Sequence, residues 1–506
     1  MLARVRTASL HGIEAAPVFV EVDVTSGLPS FTTVGLPDST VRESRDRVRA
    51  AIKNAGFEFP VERITVNLAP ADVKKEGSAF DLPMAIGLLA ATGLVKQERL
   101  ERALVLGELS LDGHVSAVRG VLPVALLCRR GGFTPLVAPA DNAAEASVVT
   151  GLQVMPVHTL HDAVDFLNGE REPPSPAGNA ARWLGASHAD TADFADVRSH
   201  AHAKRALEIA AAGGHNVIMV GPPGAGKTML ARRLAGILPP LTLDEAIDVS
   251  MVWSVSGLLP PERGLVTERP FRAPHHTASD AGLIGGGSIP HPGEVSLAHH
   301  GVLFMDELPE FSQRVLEALR QPLEEGQVIV SRTAGSAAFP ARFQLVGAAN
   351  PCRRGCPSFR ACTCSPAERT HYLSRLSRPL LDRIDLHLEI PAVPYAQLSS
   401  AVAGESSAAI RERVVQARGR QAQRFAGTDV RVNTRMSGRQ ARRWCAVPPE
   451  GAKLLGLAVT KLGLSARGHD RVLKVARTIA DLAGVEAIAP EHVSEAIQYR
   501  GLDRTA

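Results

Sequence analysis

The spacing of hydrophobic positions changes along the chain and divides it into three blocks. In the first, residues 1–168, the alternation of PVFVEVDV and RITVNLAP is interleaved with helical spacing in STVRESRDRVRAAIKNAG and FDLPMAIGLLAATG. That interleaving predicts an α/β or α+β domain. The stretch GEREPPSPAGNAARWLGASHADTAD follows, rich in Pro, Gly, Ala and Asp and almost without periodicity, so residues 169–193 read as a linker. The second block, residues 194–395, begins with the helical HAHAKRALEIAAAGG. It then passes through the apolar strand NVIMV and a glycine-rich turn into the helix KTMLARRLAGIL. Two more apolar strands, GVLFM and FQLVGAAN, end at Asp306-Glu307 and at Asn350. Apolar strands with polar ends predict a parallel sheet that binds its ligand at the carboxyl edge. The third block, residues 396–506, is a series of helices: ESSAAIRERVVQARGRQAQRF, GAKLLGLAVTKLGL, HDRVLKVARTIADLAG and PEHVSEAIQYR, with Gly or Pro between them. A small helical bundle is expected there.

Composition changes this picture only in places. The 506 residues leave room for several domains, each with its own core. With 45% hydrophobic and 21% charged residues, the chain is not disordered. No apolar run approaches the ~20 residues of a membrane helix, and the N-terminus lacks the continuous apolar core of a signal peptide. The expectation is a soluble cytoplasmic protein without a membrane partner. Six cysteines exclude a disulfide scaffold, and four of them, Cys352, Cys356, Cys362 and Cys364, are close in sequence. The net charge of +4 specifies no partner, but it is uneven: from Ala396 onward there are 18 Lys and Arg against 10 Asp and Glu.

The glycine-rich turn carries the clearest chemistry. Gly221-Pro222-Pro223-Gly224-Ala225-Gly226-Lys227-Thr228 matches the phosphate-binding pattern G-x-x-x-x-G-K-[ST], between a strand and a helix as the mechanism requires. Glycines let backbone N–H groups turn onto the phosphates, and the helix N-terminus adds a favourable dipole. Lys227 is expected to face the β- and γ-phosphates of ATP, and Thr228 to offer its hydroxyl to Mg²⁺. Asp306, ending the strand VLFM, is expected to hold Mg²⁺ through its water shell. Glu307 is expected to orient the attacking water, because phosphoryl transfer is mostly positioning and charge stabilisation. A glutamate directly after that aspartate favours hydrolysis over nucleotide binding alone.

These motifs, with Asn350 after VGAA and Arg383 in RPLLDRIDL, resemble an AAA+ ATPase core. The resemblance implies that Asn350 contacts the γ-phosphate and water as sensor 1. It implies that Arg383 is an arginine finger reaching a neighbouring subunit, with Arg378 as the rival. In LSARGHDRVLKVARTIADL it implies a sensor-2 arginine, Arg467 or, second, Arg471. The run RPFRAPHHTASDAGLIGGGSIPHPGEVSLAHHGVLFMDELPEF narrows the match to the ComM/YifB family of magnesium-chelatase-like ATPases, over nearly the whole chain. That family implies a helix-2 insertion at about residues 280–297 with a flexible tip at Gly285–Gly287. It also implies a hairpin at about residues 328–340 that turns at residues 333–338. Both would face the pore of a hexamer formed with ATP and DNA.

GELSLDGHVSAVRGVLPVALLCRRGG and KKEGSAFDLPMAIGLLAATG resemble the Lon-protease domain, which has a ribosomal-S5-like α+β fold. A Lon-type site needs a Ser nucleophile and a Lys base. Here Ala79 falls at the nucleophile position, with Ser78 one residue away, and the lysine position near Val121-Leu122 holds no lysine. Proteolysis is therefore rejected. The expected architecture is a Lon-like N-terminal domain without its dyad, an AAA+ P-loop core and a C-terminal helical lid. By resemblance the function is a DNA motor driving branch migration in recombination or natural transformation. The alternative is the ATPase subunit of a metal-insertion complex. The N-terminal block, expected to be absent from magnesium-chelatase ATPase subunits, is the feature that separates the two.

Three clusters stay open in the sequence. The four cysteines form either a structural Zn²⁺ site, free thiols or a redox-active group. Eight arginines between Arg418 and Arg443, against the single acid Asp429, suit either phosphates or a solvated helix face. His275, His276, His299 and His300 are adjacent pairs, which favours packing or surface roles over metal binding.

Overall fold

In a computed structural model of the chain, which describes residues 1–72, 74–75, 77–174, 192–287, 290–332, 335–358, 361–393 and 404–501, the N-terminal alternation becomes a four-stranded sheet. Its order is Leu2–His11, Glu14–Thr25, Arg63–Ala69, Ser30–Val34, with only the last pair parallel. Alternate residues Val18, Val20 and Val22 face the core with Ile64, Val66 and Leu68. The helix Asp81–Ala91, buried at every residue, and the helix Ser39–Asn54 belong to the same core. The buried Asp81 carboxylate accepts from Arg47 Nε at 2.8 Å. A smaller parallel sheet, Leu104–Val105, Leu136–Pro139 and Val154–Val157, completes the α+β arrangement.

Of the positions compared with a Lon-type site, Ala79 lies in a short 3-10 turn, Ser78–Phe80. The Ser78 hydroxyl is bonded to Glu108, and the buried Lys75 ammonium donates to the carbonyl of Pro70. Val121 and Leu122 are buried at the start of the helix Val121–Gly131.

The second unit is built on an all-parallel five-stranded sheet. Its order is Phe271–Arg272, Val302–Met305, Gln344–Ala349, Val217–Val220, Leu386–Glu389. The strand before the phosphate loop thus lies beside the strand that ends at Asn350. This is an α/β layer consistent with an AAA+-type core.

The structure divides the chain differently from the three consecutive blocks. One unit comprises Met1–Ala186, Thr242–Thr267 and Ala334–Phe339, and the other comprises the rest. The helix Leu243–Ser256 joins the first unit because Ser254 bonds the buried Glu145 carboxylate, which also accepts the Leu122 N–H at 2.8 Å and Asn142 Nδ2 at 3.1 Å. Burial pushes Glu145 up, and these hydrogen bonds work against it. The helical block expected as a separate lid shares one core with the parallel sheet: Val217 and Met219 cluster with Ile410, Val414, Val472, Val475 and Ile479. Most of the expected linker, residues 175–191, and the boundary at 395/396 lie outside the described residues. Among the described residues no helix is long and apolar enough to cross a membrane.

Asp481 is the polar hub of the C-terminal helices. Its carboxylate, fully buried, takes hydrogen bonds from Arg424 Nη1 at 2.8 Å, Asn433 Nδ2 at 2.8 Å and Arg477 Nε at 3.1 Å. Removing one partner of a buried ion pair strands the other charge. Asp481→Ala should therefore cost about 3–5 kcal/mol, read as a lower urea midpoint for the full-length chain. A midpoint equal to the parent's would show that Arg424 and Arg477 are satisfied without it.

Candidate nucleotide site

The carboxyl edge of the parallel sheet gathers the expected residues from separate segments. Gly221 opens the loop, and its N–H donates to the carbonyl of Ala349 at 3.1 Å. A Cβ at this position would stand 2.2 Å from the Ile390 carbonyl oxygen, so only glycine fits. Gly224 and Gly226 take φ of +76° and +87°, the left-handed region that turns N–H groups inward. The helix Lys227–Ile237 then starts with its N-terminus at the loop.

Lys227 is buried, and its ammonium donates to the carbonyls of Gly221 at 2.7 Å and Pro222 at 2.9 Å, and to Asn350 Oδ1 at 3.1 Å. Burial lowers its pKa, while Asp306 and Glu307 oppose the shift. Thr228 Oγ1 donates to Asp306 Oδ2 at 2.8 Å, and the Glu307 N–H donates to Asp306 Oδ1 at 2.9 Å. The loop, the ammonium and this hydroxyl–carboxylate pair fit a Mg²⁺–nucleotide. Glu307 has φ +49°, a left-handed conformation costly for a non-glycine residue. It leaves the carboxylate largely exposed, as a water-orienting group needs.

The structure adds a contact that the histidine pairs did not reveal. His276 Nδ1 lies 3.4 Å from Glu307 Oε2, which brings this histidine, expected in a packing or surface role, beside the site. Adjacent histidines carry no signal of which ring faces a carboxylate from another strand. His299 is buried and accepts the Arg342 N–H at 2.9 Å, and His275 bonds Thr277.

The arginines sort differently. Arg383 is buried, donating to the Pro379 carbonyl at 2.6 Å and pairing with Glu324. Its hydrogen bond holds Glu324 below the usual carboxylate range. Presenting Arg383 to a neighbour requires breaking that pair, whereas Arg378 is exposed at the start of the short helix Arg378–Leu381. Arg467 is exposed and 3.8 Å from the same Glu324. Arg471 donates to Asp385 Oδ1 at 2.8 Å, which commits it to a buried carboxylate. Of the eight basic-cluster arginines, Arg418, Arg420 and Arg424 serve the fold by bonding Ala211 O, Asp481 O and the Asp481 carboxylate. Arg435 is half-buried, and Arg431, Arg439, Arg442 and Arg443 are exposed.

Two loop expectations shift. Gly285 and Gly286 are buried, paired antiparallel with His291–Pro292, and a Cβ on Gly285 would meet the His291 carbonyl at 2.4 Å. Close backbone approach, not flexibility, explains these two glycines, and residues 288–289 lie outside the described residues. Gly335–Pro340 is a strand, so most of the expected turn at residues 333–338 is extended, and residues 333–334 lie outside the described residues. The four cysteine Sγ atoms converge within 4.8 Å of one another.

Known proteins match this arrangement end to end. Profiles described as subunit ChlI of Mg-chelatase, magnesium chelatase subunit ChlI, and the ChlI C-terminal region match residues 20–142, 193–398 and 404–500. The chain is 46% identical over 510 residues to competence protein ComM of Haemophilus influenzae, covering 99% of this chain and 98% of that protein. It is 45% identical over 504 residues to YifB of Salmonella typhimurium, with 99% and 98% covered. The 38 kDa magnesium-chelatase subunit of Cereibacter sphaeroides is 29% identical over 149 residues, 27% of this chain and 45% of that subunit. Because a chelatase-subunit profile matches the N-terminal block, that block does not by itself separate the two functional readings.

Lys227→Ala should lower ATP turnover by roughly 10²-fold or more, since it removes a preorganised charge. Glu307→Gln should retain binding of a fluorescent ATP analogue and lose turnover by roughly 10²–10⁴-fold. Parental turnover in Glu307→Gln would remove Glu307 from the water-orienting role.

Proposed function

Because the chain belongs to the ComM/YifB family of magnesium-chelatase-like proteins, we propose that it is a cytoplasmic, ring-forming AAA+ ATPase that moves on DNA and drives branch migration during recombination or natural transformation. The observation that carries this reading is the near-full-length identity to a competence protein, joined to a complete set of phosphate-site residues. Two magnesium-chelatase subunits align pairwise over only 27% and 31% of the chain, although the chelatase profiles cover most of it, so the weight against the metal-insertion alternative rests on the competence protein's 99% coverage.

The chain's own residues supply the steps. Loop N–H groups and Lys227 hold the β- and γ-phosphates. Thr228 and Asp306 fix the Mg²⁺ that accompanies ATP and offsets phosphate charge. Glu307 aligns water with the γ-phosphorus and draws off its proton, and Asn350 holds that water and the γ-phosphate in register. In a hexamer a neighbour's Arg383, released from Glu324, or the exposed Arg378 adds positive charge to the transition state. Arg467 is the exposed sensor-2 candidate, Arg471 being held by Asp385. The segments around Gly285–Gly287 and residues 333–338, with Arg332 beside Gly286, are proposed to grip DNA in the pore.

Mixed rings test the finger. Arg383→Ala subunits combined with Lys227→Ala subunits should regain ATPase, because some interfaces join an intact loop to an intact arginine. Recovery in Arg378→Ala mixtures alone would assign the finger to Arg378.

DNA binding tests the motor. Affinity for forked or four-way DNA should rise with a non-hydrolysable ATP analogue, depend little on sequence and fall steeply with salt. Engagement of four arginines by single-stranded phosphates gives a log–log slope of roughly −3. Arg332→Ala should lower strand separation more than DNA-free ATPase. Intact ATPase with no DNA binding in the ATP state would overturn the motor and favour the metal-insertion reading.

A further inference from the structure

Just beyond Asn350 the chain enters a segment organised around thiols. Cys352, Cys356, Cys362 and Cys364 are all free, the first, second and fourth are buried, and they form a cluster of their own. A tetrahedral Zn²⁺ with bonds of about 2.3 Å sets its sulfurs about 3.8 Å apart, inside the 4.8 Å within which these Sγ atoms lie. The backbone between the first two cysteines, spaced Cys-x₃-Cys rather than the common Cys-x₂-Cys knuckle, already turns toward sulfur. The Cys356 N–H points at Cys352 Sγ at 3.4 Å, and the Gly355 N–H closes a turn on the Cys352 carbonyl at 3.0 Å. The Thr363 hydroxyl lies 3.7 Å from Cys356 Sγ. N–H and O–H groups directed at sulfur favour thiolate over thiol and orient it.

The surroundings indicate what the segment holds. Its turn rests on the phosphate loop: a Cβ on Gly355 would be 3.0 Å from Pro223 Cγ. Directly after Cys364, Ser365 caps the helix Pro366–Leu373, and Arg354 within the turn pairs with Glu368 of that helix at 3.0 Å. Tyr372 of the same helix is buried. The segment thus meets the nucleotide site through the chain at Asn350 and through packing at Pro223.

We propose that Cys352, Cys356, Cys362 and Cys364 bind one Zn²⁺ as thiolates, and that this ion is a brace that keeps Asn350 and the phosphate loop in register. Binding releases the thiol protons to solvent and involves no redox change. With four protein ligands the site is closed, so the ion positions residues and takes no part in hydrolysis. The brace rests on reading Asn350 as the residue at the γ-phosphate; the metal site does not.

The full-length protein, purified without chelator, should carry about one zinc per chain and negligible iron by elemental mass spectrometry. Cys356→Ser and Cys364→Ser should each lower zinc at least ~10-fold, and Cys364→His should restore it, because imidazole is also a zinc ligand. Zinc can also be released from the unaltered protein with a mercurial and followed with a colorimetric chelator, which avoids any folding defect of the variants. Release should reduce ATP turnover as far as Asn350→Ala does, and thiol plus zinc should restore it. Less than about a tenth of a zinc per chain, with four rapidly reacting thiols, would overturn the site. Stoichiometric iron would overturn the choice of metal, and zinc release without loss of turnover would overturn the brace. None of these measurements involves DNA, so their failure is distinct from failure of the motor reading.

Discussion

The desolvated ammonium of Lys227 is the constraint around which the nucleotide site is arranged. A buried charge is tolerated only when it is fully hydrogen-bonded, and its three acceptors come from the loop at Gly221 and Pro222 and from the neighbouring strand end at Asn350. The loop can curl around the amine only because Gly221 admits the Ile390 carbonyl and because two further glycines accept positive φ. The parallel pairing of Val217–Val220 with Gln344–Ala349 then fixes the distance from loop to Asn350. A shift of either strand would unpair the ammonium, so the sheet register and the phosphate chemistry are one requirement.

The same logic reaches into the helical block through two buried carboxylates. Asp385 accepts the Asn216 N–H at 2.8 Å at the base of the loop strand and Arg471 at 2.8 Å from the helix Ala466–Leu482. Burial alone would raise its pKa, but Arg471 and His215 outweigh that and hold it well below the usual carboxylate range. The stabilisation from this depressed pKa is present above the unfolded-state value and is lost as pH falls through the folded one. Asp481 plays the equivalent part farther along that helix. Asp385 joins the helix Ala466–Leu482 to the sheet, whereas Asp481 ties that helix to Arg424, one of the three cluster arginines committed to the fold.

Glu324 connects the remaining parts. It pairs with Arg383 and lies 3.8 Å from Arg467, so one carboxylate faces both the expected finger and the expected sensor. Nothing in the sequence marks it: it is one acid in a polar helix, and its partners are distant along the chain. His276 against Glu307 is the same kind of case. The convergence of the cysteines, by contrast, was foreshadowed by their spacing, though their seat on Pro223 was not.

Sequence alone determined what depends on local order. Strand, Gly-rich turn and helix in that succession give the phosphate loop from backbone geometry, and the apolar strands ending at Asp306-Glu307 and Asn350 give the sheet that presents them. The tertiary structure decided everything that rests on a side chain meeting one from far along the chain. It assigned Leu243–Ser256 to the N-terminal unit through Glu145 and merged the helical block with the ATPase core. It buried Arg383 beside Glu324, committed Arg471 to Asp385, and turned a supposed flexible Gly285–Gly286 tip into a close backbone approach. The division has one physical reason. Hydrophobic periodicity and positive-φ glycines act over a few residues and leave a sequence pattern, whereas the pairing of a buried charge is settled only when packing brings its partner within hydrogen-bonding distance.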